Sequence, residues 1–328
     1  MDLWQSIRLN VASPPLLFFA LGVVSVLLRA DLRLPEPVYV LLSTYLLMAI
    51  GFKGGVALNE AGFSQVWLPA VAAVALGVVI PLWCYGILRM GLRLSAVDAA
   101  AIGAHYGSVS AVTFVTALQY LASIQIPYEN YASAFLAVME SPAIVVGVLL
   151  GRWAGQKGQW LGPDMRRVLH EALLGRSVFL LVGSLLAGFI CGSRGAESTH
   201  GFFVMPFEGV LTLFLFEMGM VAARRLGDLR RVGVGLVAFG LVMPVLHGAV
   251  GMVVGHWSGL SPGGSFLMAV LAASASYIAA PAAMRLALPE ANPTLYLTAS
   301  LAVTFPFNVT LGLPLYAQMV RWWLGTFP

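Results

Sequence analysis

The sequence predicts an all-α membrane protein of about ten transmembrane helices, built as two inverted repeats of five helices. Two observations predict this fold. The 328 residues are 59% hydrophobic and only 10% charged. A soluble domain has roughly a quarter charged residues, so this chain has too little polar surface to cover a water-exposed globule. The second half of the chain also matches the first half at a constant offset of about 165 residues.

Apolar runs broken by Gly, Pro or charge define the ten predicted spans, each long enough for the roughly 20 apolar residues that cross a bilayer. In chain order these spans are 14–29, 37–60, 66–91, 96–122, 128–151, 171–193, 204–223, 232–256, 263–288 and 293–324. The first repeat is thus 1–151, a cytoplasmic loop is 152–170, and the second repeat is 171–328. The first ten residues carry only Arg8 as a basic residue, and no small-residue cleavage site follows span 1, so we expect span 1 to be kept.

The basic residues of the loops predict the orientation of the chain. The side opposite to most of them carries Arg8, Arg194 and Arg321. Loops after odd-numbered spans hold Arg29, Arg33, Arg89, Arg93, Arg152, Lys157, Arg166, Arg167, Arg224, Arg225, Arg230, Arg231 and Arg285. We therefore expect a multi-pass protein of a bacterial inner membrane with both termini outside. The net charge of +4 belongs to these loops and does not indicate a nucleic-acid partner.

The internal repeat predicts an inverted topology. The segment Leu136-Ala137-Val138 aligns with Leu301-Ala302-Val303, and Gly147 aligns with Gly312. Because five is an odd number, the second half enters the membrane upside down relative to the first. Inverted repeats are typical of secondary transporters, which bind their substrate near the middle of the membrane where helices are broken.

Spans 4 and 9 contain the residues that favour such breaks. Small and polar residues at 103–113 and 273–281 are poor helix formers, and the offset places Ser110 over Ala275 and Ala111 over Ser276. Two half-helix N-termini would then face each other and favour a small anion. The alternative is that small residues only allow close helix packing. The candidate substrate-binding residues are Gly107, Ser108, Ser110, Thr113, Ser274, Ala275, Ser276 and Tyr277.

Glu140 in span 5 is a candidate for ion coupling. It stands beside Pro142, and its repeat mate is Phe305, so only one repeat carries the acid. It is either a cation or proton site or a structural carboxyl. The hydroxyl groups expected to act with it in ion coupling belong to Ser110, Thr113, Ser274 and Ser276.

The other polar residues inside spans are expected to have structural roles. Lys53 reaches the interface, Glu217 pairs with a neighbouring helix, Asp98 interacts with a helix dipole, and His105 packs. His247 and His256 have no metal-ligand partners at suitable spacing, so the sequence predicts no transition-metal site and no cofactor.

Cys84 and Cys191 are too far apart to suggest a disulfide framework, and we expect both to be small buried residues.

Nearly end to end, the chain resembles the sodium-dependent bicarbonate transporter family described from cyanobacteria. The matching pieces are Ile50-Gly51-Phe52-Lys53-Gly54-Gly55, Val97-Asp98-Ala99, Gly107, Val109-Ser110, Thr113, Met139-Glu140, Pro142-Ala143, Met218-Gly219-Met220, Pro244, His247-Gly248, Ala272-Ala273-Ser274, Pro281, Arg285, Pro289 and Ala291-Asn292-Pro293. The resemblance implies a homotrimer of ten-helix protomers in membrane lipid. It also implies a core domain that moves against a gate domain, with bicarbonate bound between broken helices 4 and 9.

The chain departs from that family at two places. Tyr277 replaces the aspartate that follows the serine run of span 9 in the family. The loop at 152–170 is shorter than in cyanobacterial members, which argues against a cytoplasmic regulator of the PII type as a partner.

Two transport hypotheses follow from these observations. The first is uptake of bicarbonate with sodium as co-substrate, by an elevator-like alternating-access mechanism. The second is transport of another small anion or a carboxylate, coupled to protons through Glu140. A passive channel is a further alternative. An intramembrane enzyme is disfavoured because the spans contain no pair of aspartates.

Overall fold

We describe the fold from a computed structural model, which defines residues 2–30, 32, 34–155 and 165–325. These residues form helices, and no β-strand occurs among them. The helices are α1 (Leu3–Val11), α2 (Pro14–Leu27), α3 (Glu36–Ala61), α4 (Phe63–Met90), α5 (Ala96–Gly107), α6 (Ala111–Ser123), α7 (Ser133–Gly155), α8 (Met165–Leu174), α9 (Arg176–Phe203), α10 (Phe207–Arg225), α11 (Leu229–Trp257), α12 (Pro262–Ala273), α13 (Ala279–Ala287) and α14 (Pro293–Leu324). Helix α14 contains π-helical turns at Thr298–Thr304 and Asn308–Gly312.

The helices are those of a multi-pass membrane protein. Among the described residues, seven helical stretches are long and apolar enough to cross a bilayer, or eight if α1 and α2, which meet at 69°, form one span. The stretch from Phe207 to Trp257 comprises both α10 and α11. Helix α12 is apolar but only 12 residues long. An all-helical membrane protein is thus confirmed, whereas ten spans and inverted repeats stay predictions.

Three helix bounds differ from the sequence-based prediction. Helix α1 was not predicted; the Asp2 carboxylate starts it by accepting a hydrogen bond from the Gln5 amide at 2.7 Å. Helix α9 extends to Phe203, but Gly192 takes a non-helical φ of 59°, so the helix is interrupted by a kink one residue before the predicted end at 193 and a second helical segment follows it. At the ends of the predicted loop 152–170, α7 extends to Gly155 and the short helix α8 begins at Met165. Residues 156–164 of that loop lie outside the described residues.

Both predicted interruptions are confirmed. Span 4 is divided into α5 and α6 by residues 108–110, and span 9 is divided into α12 and α13 by residues 274–278. The first half-helix begins the same way in each span. The Ser95 hydroxyl accepts the Asp98 amide, and the Ser261 hydroxyl accepts the Gly264 amide.

The helices pack as two groups. The first group consists of α2, α3, α9 and α10, with α3 packed against α9 and α2 against α10. The second group consists of α4–α7 and α11–α14, where α5 packs with α4 and α7, and α11 packs with α12. Glycines bring α3 and α9 close together: a Cβ at Gly55 would meet the Leu185 carbonyl oxygen, and a Cβ at Gly188 would meet the Phe52 carbonyl oxygen.

One cysteine differs from expectation. Both cysteines are free thiols, and Cys84 is buried as predicted, but Cys191 is exposed on the surface of α9. Its neighbours there are also exposed and apolar; Ile190, for example, is 80% exposed. The prediction that Cys191 is buried was wrong, because its side chain lies on an exposed, apolar face of α9.

The α3–α9 contact provides a test of the packing. We expect Gly188→Ala to lower the melting temperature of the detergent-purified protein by several degrees. Its methyl group would push against the α3 backbone, and such overpacking costs about 1–3 kcal/mol. Gly183→Ala on the same helix is the matched control, because a Cβ there has no neighbour within 4 Å. Equal melting temperatures for the two variants, measured by intrinsic fluorescence, would contradict the packing.

Candidate functional site

The two interruptions cross and hydrogen-bond to each other. The Ser110 amide donates to the Ser274 hydroxyl at 3.0 Å, and the Ser276 amide donates to the His105 carbonyl at 2.8 Å. The Asn308 side chain on α14 donates to the Ala273 carbonyl at 2.9 Å. Four backbone groups freed by the breaks, two amides and two carbonyls, are therefore satisfied inside the protein, as a membrane interior requires.

The breaks differ in length, which changes the predicted register. Ser108 ends α5 as Ser274 ends α12, so these two serines are equivalent. Ser110 precedes α6, whereas Ile278 precedes α13. The helix ends thus differ by 166 residues before the breaks and by 168 after them, whereas the predicted pairs, Ser110 with Ala275 and Ala111 with Ser276, differ by 165.

The N-termini of α6 and α13 lie close to each other. The Ser110 hydroxyl caps α6 by accepting the Thr113 amide at 3.2 Å, and it donates to the Tyr277 hydroxyl at 3.3 Å, just before α13. The Ser276 hydroxyl accepts the Ala280 amide at 3.3 Å. The first-turn amides of an α-helix have no acceptor within the helix, so these two ends concentrate partial positive charge.

A small cavity lies where the two N-termini meet α3, α7 and α9. The cavity has a volume of about 10 Å³, which is room for one water molecule. Four of the predicted site residues meet there: Ser110, Ser276, Tyr277 and Glu140. The remaining lining residues are Leu47, Val109, Ala111, Ser177 and Ile278.

The other predicted site residues do not line this cavity. Gly107 packs against Pro81, and the Ser108 hydroxyl donates to the Glu140 carbonyl at 3.3 Å. The Thr113 hydroxyl donates to the Ser110 hydroxyl at 2.9 Å. The further two predicted residues, Ser274 and Ala275, are buried within the crossing. These five residues surround the cavity without lining it.

Some hydroxyl groups of the site donate a hydrogen bond within the protein, and others do not. The Ser110 hydroxyl donates a hydrogen bond to the Tyr277 hydroxyl, and the Ser274 hydroxyl donates one to the Leu271 carbonyl at 2.8 Å. The hydroxyl protons of Tyr277, Ser276 and Ser177 have no acceptor among the described residues. The free donors therefore belong to three side chains that line the cavity.

Glu140 brings a carboxyl group into the same cavity. The residue is 6% exposed, and its carboxyl forms no hydrogen bond or ion pair within the described part of the chain. An unpaired buried carboxylate is strongly unfavourable, so this group needs a proton or a cation.

Ser177 and Leu47, which reach the cavity from α9 and α3, were not predicted from the sequence. Neither residue stands in a motif. They line the site because α3 and α9 pack closely together and both lie against α7, which the sequence alone does not reveal.

The remaining polar candidates hold the structure. Asp98 accepts the Asn292 amide at 2.8 Å, which joins the start of α5 to the start of α14 and goes beyond the predicted dipole role. His105 Nδ1 donates to the Ala101 carbonyl at 2.7 Å, as expected of a packing histidine. His247 Nε2 accepts from the Trp83 indole at 2.8 Å. Glu217 is 5% exposed; its carboxylate interacts with the backbone of Leu34, just before α3, and with Arg224, while its Oε2 has no hydrogen-bond partner among the described residues.

These features define a multi-pass membrane protein with a polar site between two interrupted helices. A sequence profile of the Na+-dependent bicarbonate transporter superfamily matches residues 14–321, and the chain therefore belongs to that superfamily. A search of curated proteins found no match. The predicted family is confirmed, and the chain is thereby a transporter by family.

The crossing itself can be tested through Ser274. We expect Ser274→Ala to lower the melting temperature, because the Ser110 amide would lose its acceptor and an unsatisfied buried donor costs about 1–3 kcal/mol. Ser265→Ala is the matched control: Ser265 is buried on the same helix, and its hydroxyl makes only a 3.4 Å contact with the Leu260 carbonyl. A smaller loss for Ser274→Ala than for Ser265→Ala would contradict this role.

Proposed function

We propose that this protein takes up bicarbonate together with sodium, and that both bind in the small cavity at the crossing of the interrupted helices. One observation carries the proposal. The cavity joins a buried, unpartnered carboxyl of Glu140 to three free hydroxyl donors and two helix N-termini. Such a set of groups serves an anion and a cation at the same time.

The donors suit a small oxyanion. Bicarbonate has one negative charge and three oxygens. The hydroxyl groups of Ser276, Tyr277 and Ser177 supply three donors, and the N-terminal ends of α6 and α13 add favourable potential. No buried arginine is required. The cavity must widen to admit the ion, since it now has room for one water molecule.

The carboxyl group of Glu140 explains a need for sodium. Two negative charges about 4 Å apart repel by about 4 kcal/mol at an effective dielectric constant of 20. A sodium ion between Glu140 and the anion removes this repulsion, and oxygen ligands suit a hard cation. In this proposal Glu140 supplies the negative charge that binds sodium. Tyr277 stands where the family has an acid and has no carboxylate for this role.

The two helix groups support an elevator-like movement. Leu47 and Ser177 line the cavity from the first group, whereas Glu140 and the crossing line it from the second. Sliding of the second group along the first would carry the site across the membrane while the crossing stays intact. In this proposal the protein is a homotrimer in the bacterial inner membrane with both termini outside.

Proton coupling is the second candidate. A protonated Glu140 is neutral and can remain buried without a cation, which its lack of a partner favours. The transported ion would then be another small anion or a carboxylate. The two candidates differ in whether a sodium gradient or a pH gradient drives accumulation.

Uptake of labelled bicarbonate into proteoliposomes separates the two candidates. We expect saturable accumulation against the bicarbonate gradient when sodium is higher outside, and none when choline replaces sodium. We expect Glu140→Gln to remove the sodium dependence and reduce uptake at least about tenfold, since it takes away the cation's charge partner. Accumulation driven by a pH gradient without sodium, or sodium dependence retained in Glu140→Gln, would contradict sodium coupling through Glu140.

Ser276 tests the anion site. We expect Ser276→Ala to reduce uptake about tenfold while membrane expression stays unchanged, because one donor to the anion is lost at a cost of about 1.4 kcal/mol. Ser300→Ala is the matched control, because Ser300 is fully buried and its hydroxyl bonds locally to the Tyr296 carbonyl at 2.7 Å. Wild-type uptake by Ser276→Ala would show that Ser276 does not bind the anion.

A further inference from the structure

A second, larger cavity opens beside the C-terminal half of α3. Its volume is about 360 Å³. It lies between α3, α6, the residues preceding α7, and α9 and α10, and we call it the vestibule. The polar residues that line it are Lys53, Glu60, Gln119, Asn130, Ser133 and Thr199. By the count of basic loop residues, this end of α3 is predicted to face outside.

Lys53 is the basic side chain among the vestibule residues. It is half-buried, and its ammonium nitrogen lies 4.3 Å from the centroid of the Phe207 ring. Within the described residues it has no carboxylate within ion-pair distance and no hydrogen-bond acceptor. A cation–π contact offsets only part of the cost of burying the charge. An anion in the vestibule would supply the missing counter-charge.

One face of α3 connects the vestibule to the site at the crossing. Ile50 lines both the vestibule and a small apolar pocket, which also contains Phe214. That pocket shares Leu47, Ala111 and Ile278 with the cavity that holds Glu140. Leu47 and Ile50 are three residues apart, as are Ile50 and Lys53, so the members of each pair are neighbours on the helix surface. The three cavities thus follow one another along α3, with an apolar constriction between two polar ends.

We propose that the vestibule is an anion-capture site on the access path, where Lys53 concentrates small monovalent anions before they pass the constriction formed by Leu47, Ile50 and Ile278. This inference rests on the proposed function for the identity of the anion as bicarbonate. The capture site itself requires only that the vestibule attract negative charge.

Transport kinetics give the first test. In proteoliposomes at low ionic strength, Lys53→Met should raise the KM for bicarbonate about fivefold and change the maximal rate less than about twofold, because the methionine keeps the apolar stem but loses the charge. Lys53→Arg should keep the wild-type KM. Glu60→Gln should lower the KM, since it removes a repulsive charge from the vestibule. The effect of Lys53→Met should shrink at high ionic strength. An unchanged KM in Lys53→Met would overturn the proposal.

A chemical test is independent of transport and of whether Lys53→Met folds. Thr199→Cys in a Cys191→Ser background places a thiol in the vestibule while the remaining Cys84 is buried. With Lys53 present, a negatively charged methanethiosulfonate should label this thiol at least about threefold faster than a positively charged one, relative to their rates with free cysteine. Chloride, nitrate or bicarbonate should slow the labelling by the negative reagent. Faster labelling by the positive reagent would overturn the proposal.

The two measurements separate failure of the inference from failure of the proposed function. If proteoliposomes do not accumulate bicarbonate but the negative reagent still reacts faster and is slowed by anions, the capture site stands and the transported ion is another anion. If bicarbonate accumulates with sodium but labelling favours the positive reagent, transport stands and the capture site is wrong.

Discussion

The structure depends on satisfying the backbone groups that two broken helices expose inside a membrane. In hydrocarbon an unpaired amide or carbonyl costs several kcal/mol, so a break survives only where the protein supplies partners. Here each break supplies partners for the other: Ser274 accepts from the Ser110 amide, and His105 accepts from the Ser276 amide. The hydroxyl groups of Ser276 and Tyr277, which stand in the second break, do not donate within this exchange and line the small cavity. The same constraint therefore stabilises the breaks and produces the site.

The ends of the broken helices are also joined across the two halves of the chain. Asp98 at the start of α5 accepts the Asn292 amide that precedes α14. Glu129, which precedes α7 as Asn292 precedes α14, accepts the amide of Ser261, the residue that starts α12, at 2.7 Å. The two contacts join equivalent pairs of elements, which supports the predicted repeat. They also make the second helix group a unit in which neither half is complete without the other.

The sequence predicted the breaks because their cause is local. Gly107, Ser108 and Ser110, like the serines of 274–276, favour caps over helix interiors, and both clusters appear at equivalent places in the two halves. The exact pairing of the breaks was not predictable, because the second break contains two more residues than the first. A constant offset is unable to represent such a local insertion.

The chemistry of the site was only partly predictable, because it depends on distant packing and on the direction of hydrogen bonds. Ser177 and Leu47 join the cavity only through the packing of α3 and α9. Ser110 and Ser274 are serines, which could act as ligands, but their hydroxyl groups donate hydrogen bonds to Tyr277 and to the Leu271 carbonyl. Glu140 could be singled out from the sequence because a carboxyl inside a span is costly wherever it points.

An experimental density map of the protein in lipid, with sodium and bicarbonate present, tests the central claim most directly. The account predicts density for an anion within hydrogen-bond distance of the Ser276 and Tyr277 hydroxyl groups, and a cation between that anion and Glu140, with residues 108–110 and 274–278 non-helical. Continuous helices through these residues, or an anion held away from both breaks, would contradict it.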